Sequence, residues 1–185
     1  MSERVCPWWM GYLLASPLRR WTQNPEQLLA PYVKSGMTVL EPGPGMGFFT
    51  LPLAAMVGPT GRVVAVDIQA RMLQSLQRRA GKAGLLPRIE TRLAEPGSMG
   101  LGDLLGAVDL VLAFAVVHEV PSVEKFFVET VATLKPGALL LLSEPAGHVT
   151  EAGFAGELQA ARQAGLELVS RPTIRRSMAA VLRKA

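Results

Sequence analysis

The stretch Glu41-Pro42-Gly43-Pro44-Gly45-Met46-Gly47-Phe48 places three glycines at alternate positions, two residues after a carboxylate. Glycine lets the backbone turn tightly and lets a ligand approach the chain without meeting a side chain. The run follows an apolar, strand-like segment and opens a helix-like one, and a helix start presents unpaired N–H groups. The chemistry implied is a nucleotide-type pocket at the carboxyl end of a strand. A dinucleotide fingerprint, G-x-G-x-x-G, would need glycine where Phe48 stands. Glu41 would repel a pyrophosphate, whereas a cationic, methionine-type ligand with a free amino group would be drawn to it. Read blandly, Glu41 is a strand-end carboxylate and the glycines are turn residues; the carboxylate and glycine loop together favour ligand contact.

Further groups capable of chemistry follow other apolar runs. Asp67 closes a valine-rich segment 20 residues after Gly47, near the spacing of a second-strand carboxylate. His118-Glu119 comes just after the apolar run that ends at Ala113 and Phe114, and Glu144 and His148 come after another. In an open α/β sheet, loops at strand carboxyl ends line the ligand crevice. His118 is therefore either a general base that takes a proton from an acceptor or a histidine that fixes its loop. Glu144 and His148 pose the same alternative, as substrate contacts or structural groups. The three have zinc-ligand chemistry but no short ligand spacing, so no metal site is assigned. Near the start of the chain, Trp8, Trp9, Met10 and Tyr12 suit a hydrophobic lid. Trp8 and Tyr12 are its substrate-contact candidates. Core packing, an interface or, with Arg19 and Arg20, a membrane-surface anchor are the competing readings.

The elements that must position these groups alternate. Strands are expected at Met37–Glu41, Gly61–Asp67, Arg88–Leu93, Val108–Ala113 and Ala138–Ser143. Helices are expected at Phe48–Val57, Ala70–Ala80, Val123–Leu134 and Thr150–Ala164. Gly81 or Gly84 would cap the second helix, and Lys135-Pro136-Gly137 would end the third. Glu167–Thr173 and Met178–Arg183 would close the fold as a hairpin. The fold class expected is α/β: a Rossmann-like, doubly wound sheet of seven strands, mostly parallel, with an antiparallel C-terminal edge hairpin and an N-terminal helical arm. Residues 1–185 form one domain in this reading, with 1–34 as arm or lid and 35–185 as core.

Composition agrees. Hydrophobic residues make up 49% and charged residues 18% of 185, which is globular rather than disordered. The net charge of +4 is scattered, so a nucleic-acid partner is permitted but not favoured. Cys6 is the single cysteine, which fits a reducing cytoplasm. No apolar run reaches the roughly 18 residues of a membrane span. The chain is expected to act as a monomer or homodimer.

These residues also resemble a family. Val39-Leu40-Glu41-Pro42-Gly43-Pro44-Gly45-Met46-Gly47 is similar to the first motif of class I S-adenosylmethionine-dependent methyltransferases. Val64-Ala65-Val66-Asp67-Ile68 resembles their second-strand motif, Val108–Ala113 the fourth-strand motif, and Leu134–Leu140 the segment leading into the fifth strand. The likeness spans roughly residues 35–185, and the broad group it points to includes quinone-biosynthesis C-methyltransferases. It implies S-adenosylmethionine as cofactor, held by Glu41, Gly43, Gly45, Gly47, Ala113 and Phe114. It also implies Asp67 on the ribose hydroxyls and Ile68 against the adenine. The family's usual acid after the third strand is replaced by Leu93, so the adenine amino group falls either to Glu95 or to backbone groups of Leu93 and Ala94.

The function implied is methyl transfer to a small-molecule acceptor. An rRNA methyltransferase is the alternative enzyme, since the glycine motif also resembles that of rRNA adenine dimethylases. Ala113-Phe114-Ala115-Val116 lacks the base-holding motif such enzymes place after the fourth strand. A non-catalytic S-adenosylmethionine-binding module is the alternative outside enzymes, and an NAD-dependent oxidoreductase is disfavoured by Phe48 and Glu41.

Overall fold

The computed structural model describes residues 23–95 and 97–185. Cys6, Trp8 and Tyr12, and with them most of the expected N-terminal arm, lie outside the described residues. The described chain divides into two compact units, 23–99 and 100–185.

In the first unit, a short helix α1 (Pro25–Leu29) is capped by Asn24, whose side chain accepts from Gln27 N at 3.2 Å. Strands β1 (Thr38–Pro42), β2 (Arg62–Asp67) and β3 (Ile89–Leu93) pair in parallel in the order β3-β2-β1. Val39–Pro42 and Val63–Asp67 are buried without interruption, as strands covered on both faces must be. Helix α2 (Thr50–Met56) starts two residues later than the expected Phe48. The glycine turn before it, with Gly45 at φ +54° and Gly47 at φ +86°, runs on through Phe48 and Phe49 before the helix begins. Gly61, before β2, has no alternative either: a Cβ there would lie 2.6 Å from Val57 Cβ and from its carbonyl oxygen.

Helix α3 (Ala70–Lys82) buries Met72, Leu73, Leu76 and Ala80 on one face. Of the two glycines at its end, Gly84 is the terminator, at φ +68°. Its N–H reaches Gly81 O at 3.1 Å, and Leu85 N reaches Ala80 O at 2.9 Å, the paired bonds of a Schellman ending. Gly81 lies inside the helix, exposed, with nothing within 4 Å of an added Cβ.

The second unit contains β4 (Val108–Phe114), helix α4 (Val123–Thr133), β5 (Leu134–Pro145), helix α5 (Glu151–Gln163), β6 (Leu166–Ser170) and β7 (Ser177–Lys184). The strand order is β4-β5-β7-β6; β4 and β5 are parallel, and the β5–β7 and β7–β6 pairs are antiparallel. The expected seven strands, mostly parallel with antiparallel C-terminal pairings, are all present.

One boundary is corrected. Lys135-Pro136-Gly137 is not a break before a strand starting at Ala138 but a bulge inside a longer strand. Leu134 already pairs with Val108, and the register then shifts so that Leu139 pairs with Leu110. Pro136 has no N–H to lose at an unpaired position, and Gly137 takes φ +74°. The end of α4 is closed instead by Lys184, whose Nζ donates to Val131 O at 2.9 Å and Leu134 O at 2.7 Å. Ser122 and Thr150 cap the starts of α4 and α5, accepting from Lys125 N and Gly153 N. Among the described residues no helix is long and apolar enough to cross a membrane.

The two glycines of α3 give opposite expectations. Gly81→Ala should stabilise the protein by roughly 0.5–1 kcal/mol, because alanine is the better helix former. Gly84→Ala should destabilise it by roughly 1 kcal/mol, because a Cβ is strained at positive φ. Thermal denaturation should show melting temperatures moved in opposite directions by about 2–4 °C each; shifts of the same sign would overturn the assignment.

Candidate functional site

The glycine loop at the end of β1 is held from several sides. Gly43 N donates to Val66 O of β2 at 2.9 Å, and Gly47 N to Pro44 O at 3.0 Å. Arg79 of α3 donates through Nη1 to the Met46 carbonyl. Met46, Phe48 and Phe49 are buried, and the two phenylalanine rings meet edge to face at 5.0 Å. A Cβ on Gly47 would run into Leu76 Cδ1, whereas one on Gly45 would meet nothing within 4 Å. Gly47 is thus a packing glycine, and Gly45 leaves its backbone open to approach.

Glu41 is 3% exposed, and its Oε2 has no hydrogen-bond partner among the described residues. Burial pushes its carboxyl up to about 7; the nearby Thr50 hydroxyl pulls it down and the Asp67 carboxylate adds to the rise. A buried carboxylate oxygen without a partner is costly, and an amino-bearing cation would satisfy both its charge and its lone pair.

Asp67, at the end of β2, is 8% exposed and fixed by accepting Gln69 N at Oδ1, 2.8 Å away. Its register partner on β3 is Leu93. Ile68 and Leu93 are 55% and 59% exposed, so two large apolar side chains stand uncovered at the ends of neighbouring strands, as a flat aromatic ligand would require. The Ala94 N–H is spent on Asp67 O at 2.9 Å, and Glu95 and Ser98 exchange backbone hydrogen bonds at 3.1 Å in each direction. The side chain of Glu95 lies on the exposed side of that turn.

In the second unit, β4 ends at Ala113 and Phe114, and Ala115 adopts φ +55° while donating its N–H to Ser143 O at 2.7 Å. Positive φ in a residue with a Cβ is strained, and here it turns the chain into a single tight turn of helix, Val117–Glu119. Glu144, fully buried at the end of β5, holds that turn. Its Oε1 accepts Val116 N at 3.2 Å and Val117 N at 2.8 Å, and its Oε2 bonds His118 Nδ1. The hydrogen bond to Glu144 raises the His118 pKa above the usual imidazole value. Burial opposes the rise, and the charges of Glu144, Glu119 and Glu157 support it. The His148 ring stands edge to face with His118, centroids 5.6 Å apart.

His118, from the turn after β4, therefore converges with Glu144 and His148, from the end of β5 and the turn that follows it. A fourth group joins them that sequence reading missed. Glu157 of α5 borders the same cavity as His118 and His148, is 6% exposed, and is pushed up to about 7 by burial and then by Glu144, with His118 opposing. Nothing in the sequence separates Glu157 from an ordinary helix-surface acid. Arg79, whose guanidinium reaches the Met46 carbonyl, likewise had no signal in the sequence.

A family model described as a methyltransferase domain matches residues 40–142. Arsenite methyltransferase of Halobacterium salinarum is 31% identical over 121 residues, covering 65% of this chain and 30% of that protein. Ubiquinone/menaquinone biosynthesis C-methyltransferase UbiE of Enterobacter sp. is 31% identical over 112 residues, covering 60% of this chain and 44% of that protein. The chain thus spans less than half the length of these curated relatives. A solved SAM-dependent methyltransferase from Aquifex aeolicus matches with TM-score 0.85 at 26% identity, over 97% of this chain and 98% of that one. The fold is the Rossmann-like α/β fold expected from sequence.

The raised carboxyls make stability depend on pH in a definite direction. Glu41 and Glu157 move from an ordinary 4.5 to about 7, so between these values the native state holds protons that the unfolded chain has released. Their contribution is fully present below pH 4.5 and is lost as pH rises towards 7. Urea denaturation of the double variant Glu41→Gln/Glu157→Gln should lose most of this fall. What remains near neutrality belongs to His118, whose raised pKa also withdraws stability as pH rises. An unchanged slope in the double variant would refute the burial argument.

Proposed function

Because the chain belongs to the methyltransferase domain family, we propose that it transfers a methyl group from S-adenosylmethionine to a small-molecule acceptor. The observation that carries the cofactor reading is the buried Glu41 Oε2, without a hydrogen-bond partner among the described residues, in the same loop as the open backbone of Gly45. When bound, the cofactor supplies a methyl group on a sulfonium, already activated for in-line displacement, so the protein's task is chiefly alignment.

Each residue then has a role. Glu41 receives the amino group, and the backbone of Gly43, Gly45 and Gly47 shapes the approach. Asp67, its rotamer set by Gln69 N, accepts from the ribose hydroxyls. Ile68 and Leu93 cover the adenine. Glu95, whose carboxylate accepts, is assigned to the adenine amino group; the Ala94 N–H, a donor already given to Asp67 O, could not accept from it. Ala113 and Phe114 are the cofactor candidates of the second unit.

His118 is the proposed base for an acidic acceptor proton. Glu144 fixes its tautomer and orientation through Nδ1, the arrangement that makes an imidazole an effective proton acceptor. Glu144 is therefore a positioning residue rather than a substrate contact, because both its oxygens are used internally. His148 is the exposed neighbour available to the acceptor. A chain whose single cysteine is Cys6 suits a reducing cytoplasm, which we assign as its location.

Calorimetric titration with S-adenosylmethionine and S-adenosylhomocysteine, with NAD as control, tests the reading. Both sulfur ligands should bind in the micromolar range, NAD should not, and Asp67→Ala should weaken binding by at least tenfold, roughly 1.4 kcal/mol. Failure of both to bind the wild type would sink it, and tight NAD binding would point to an oxidoreductase.

A further inference from the structure

The second unit contains a cavity of about 470 Å3 bordered by His118, Glu124, His148, Thr150, Gly156 and Glu157, a size that suits a small organic molecule. Its space is made by helix α5. Gly153, Gly156 and Glu157 stand three and four residues apart, so they share one helix face. A Cβ on Gly153 would touch Val149 Cγ1 at 3.3 Å, whereas one on Gly156 would meet nothing within 4 Å. Gly156 is thus the residue whose missing side chain leaves room.

Glu157 gives this space its chemistry. More than nine-tenths buried, it borders the cavity with an Oε2 that has no hydrogen-bond partner among the described residues. Glu144 cannot serve a ligand in its place, since its oxygens are taken by Val116 N, Val117 N and His118 Nδ1. The Thr150 hydroxyl already accepts Gly153 N at 3.1 Å. Among the described residues that border the cavity, none is lysine or arginine. Two carboxylates, Glu124 and Glu157, line it. Two more flank His118: Glu144 at Nδ1, and Glu119 with Oε1 3.8 Å from Nε2. The basic side chains among the described residues that border it are His118 and His148. An entering anion would meet this excess of negative charge, while an ammonium group would neutralise Glu157 and give its oxygen a donor.

We propose that this cavity binds the ammonium group of an amine-bearing small molecule, anchored by Glu157, and that it forms the acceptor-binding part of the methyltransferase. The second clause rests on the function proposed above. Glu157 is the specificity-determining residue, selecting amines over carboxylates and phosphates. His118, beside it and held by Glu144, faces the same ligand.

The test uses benzylamine as probe, with benzyl alcohol and benzoate as its neutral and anionic counterparts, each titrated into the full chain and followed by the amide NMR signals of Thr150, Gly153 and Gly156. A pH above neutrality keeps Glu157 ionised. Benzylamine should shift these signals saturably and benzoate should not. Glu157→Gln, which keeps the shape and removes the charge, should weaken benzylamine by about tenfold or more. Gly156→Leu, which fills the space without disturbing the helix backbone, should abolish its binding; this variant and the ligand series decide the matter even if Glu157→Gln does not fold. Equal binding of benzoate or benzyl alcohol, an unchanged affinity in Glu157→Gln, or no saturable shift with benzylamine would overturn the proposal. S-adenosylhomocysteine is titrated in parallel. If it binds while benzylamine does not, the amine site alone falls; if it fails to bind while benzylamine binds at Glu157, the amine site stands and the methyltransferase reading falls.

Discussion

Strands β1, β2, β4 and β5 are buried along nearly their whole C-terminal halves, and a side chain within such a strand meets only other side chains. Charge can emerge only where the strand stops. The titratable groups that the strands supply obey that constraint, whereas Glu157 comes from helix α5. Glu41 is the last residue but one of β1, Asp67 the last of β2, and Glu144 the last but one of β5. His118 sits in the turn after β4, pinned by Glu144. The strands hold their chemistry only at their carboxyl ends, where the loops begin.

Three buried glutamates show how differently one residue type can be used. Glu144 is wholly enclosed but saturated by two backbone N–H groups and an imidazole, so its charge is compensated within the protein. Glu41 and Glu157 are nearly as buried, yet each keeps one oxygen without a partner among the described residues, and both carboxyls rise to about 7. A satisfied buried acid is scaffolding. An unsatisfied one is a standing demand for a donor, and folding alone gains nothing by keeping it. The proposed amino-group sites rest on that distinction rather than on acidity.

Much of this was readable in the sequence, because it rests on local rules. The alternation of elements, the glycine loop, the placing of Glu41, Asp67 and Glu144 at the ends of apolar runs, and the loop positions of His118 and His148 all follow from period and turn chemistry. What escaped depends on distant parts of the chain meeting. Lys135-Pro136-Gly137 reads as a terminator because proline and glycine usually are; only the pairing of Leu134 with Val108 makes it a bulge. Gly81 and Gly84 look equivalent until the Leu85–Ala80 hydrogen bond selects one. Glu157 lies on a helix whose sequence gives no sign that this acid points inward. Trp8 and Tyr12 fall outside the described residues.

Lys184 carries a consequence of a mechanical kind. It is the last residue of β7, and its ammonium is tied to carbonyls of Val131 and Leu134, at the junction of α4 and β5. A strand ordinarily peels from its end, one hydrogen bond at a time. Here the end is latched across to a helix terminus and to the first residue of the strand it lies beside. Tension applied at that end would load the latch before it could peel the strand. Once the latch gives, α4 loses its cap and β5 its anchored start together, so release from this end should come as a single cooperative event rather than as gradual unzipping.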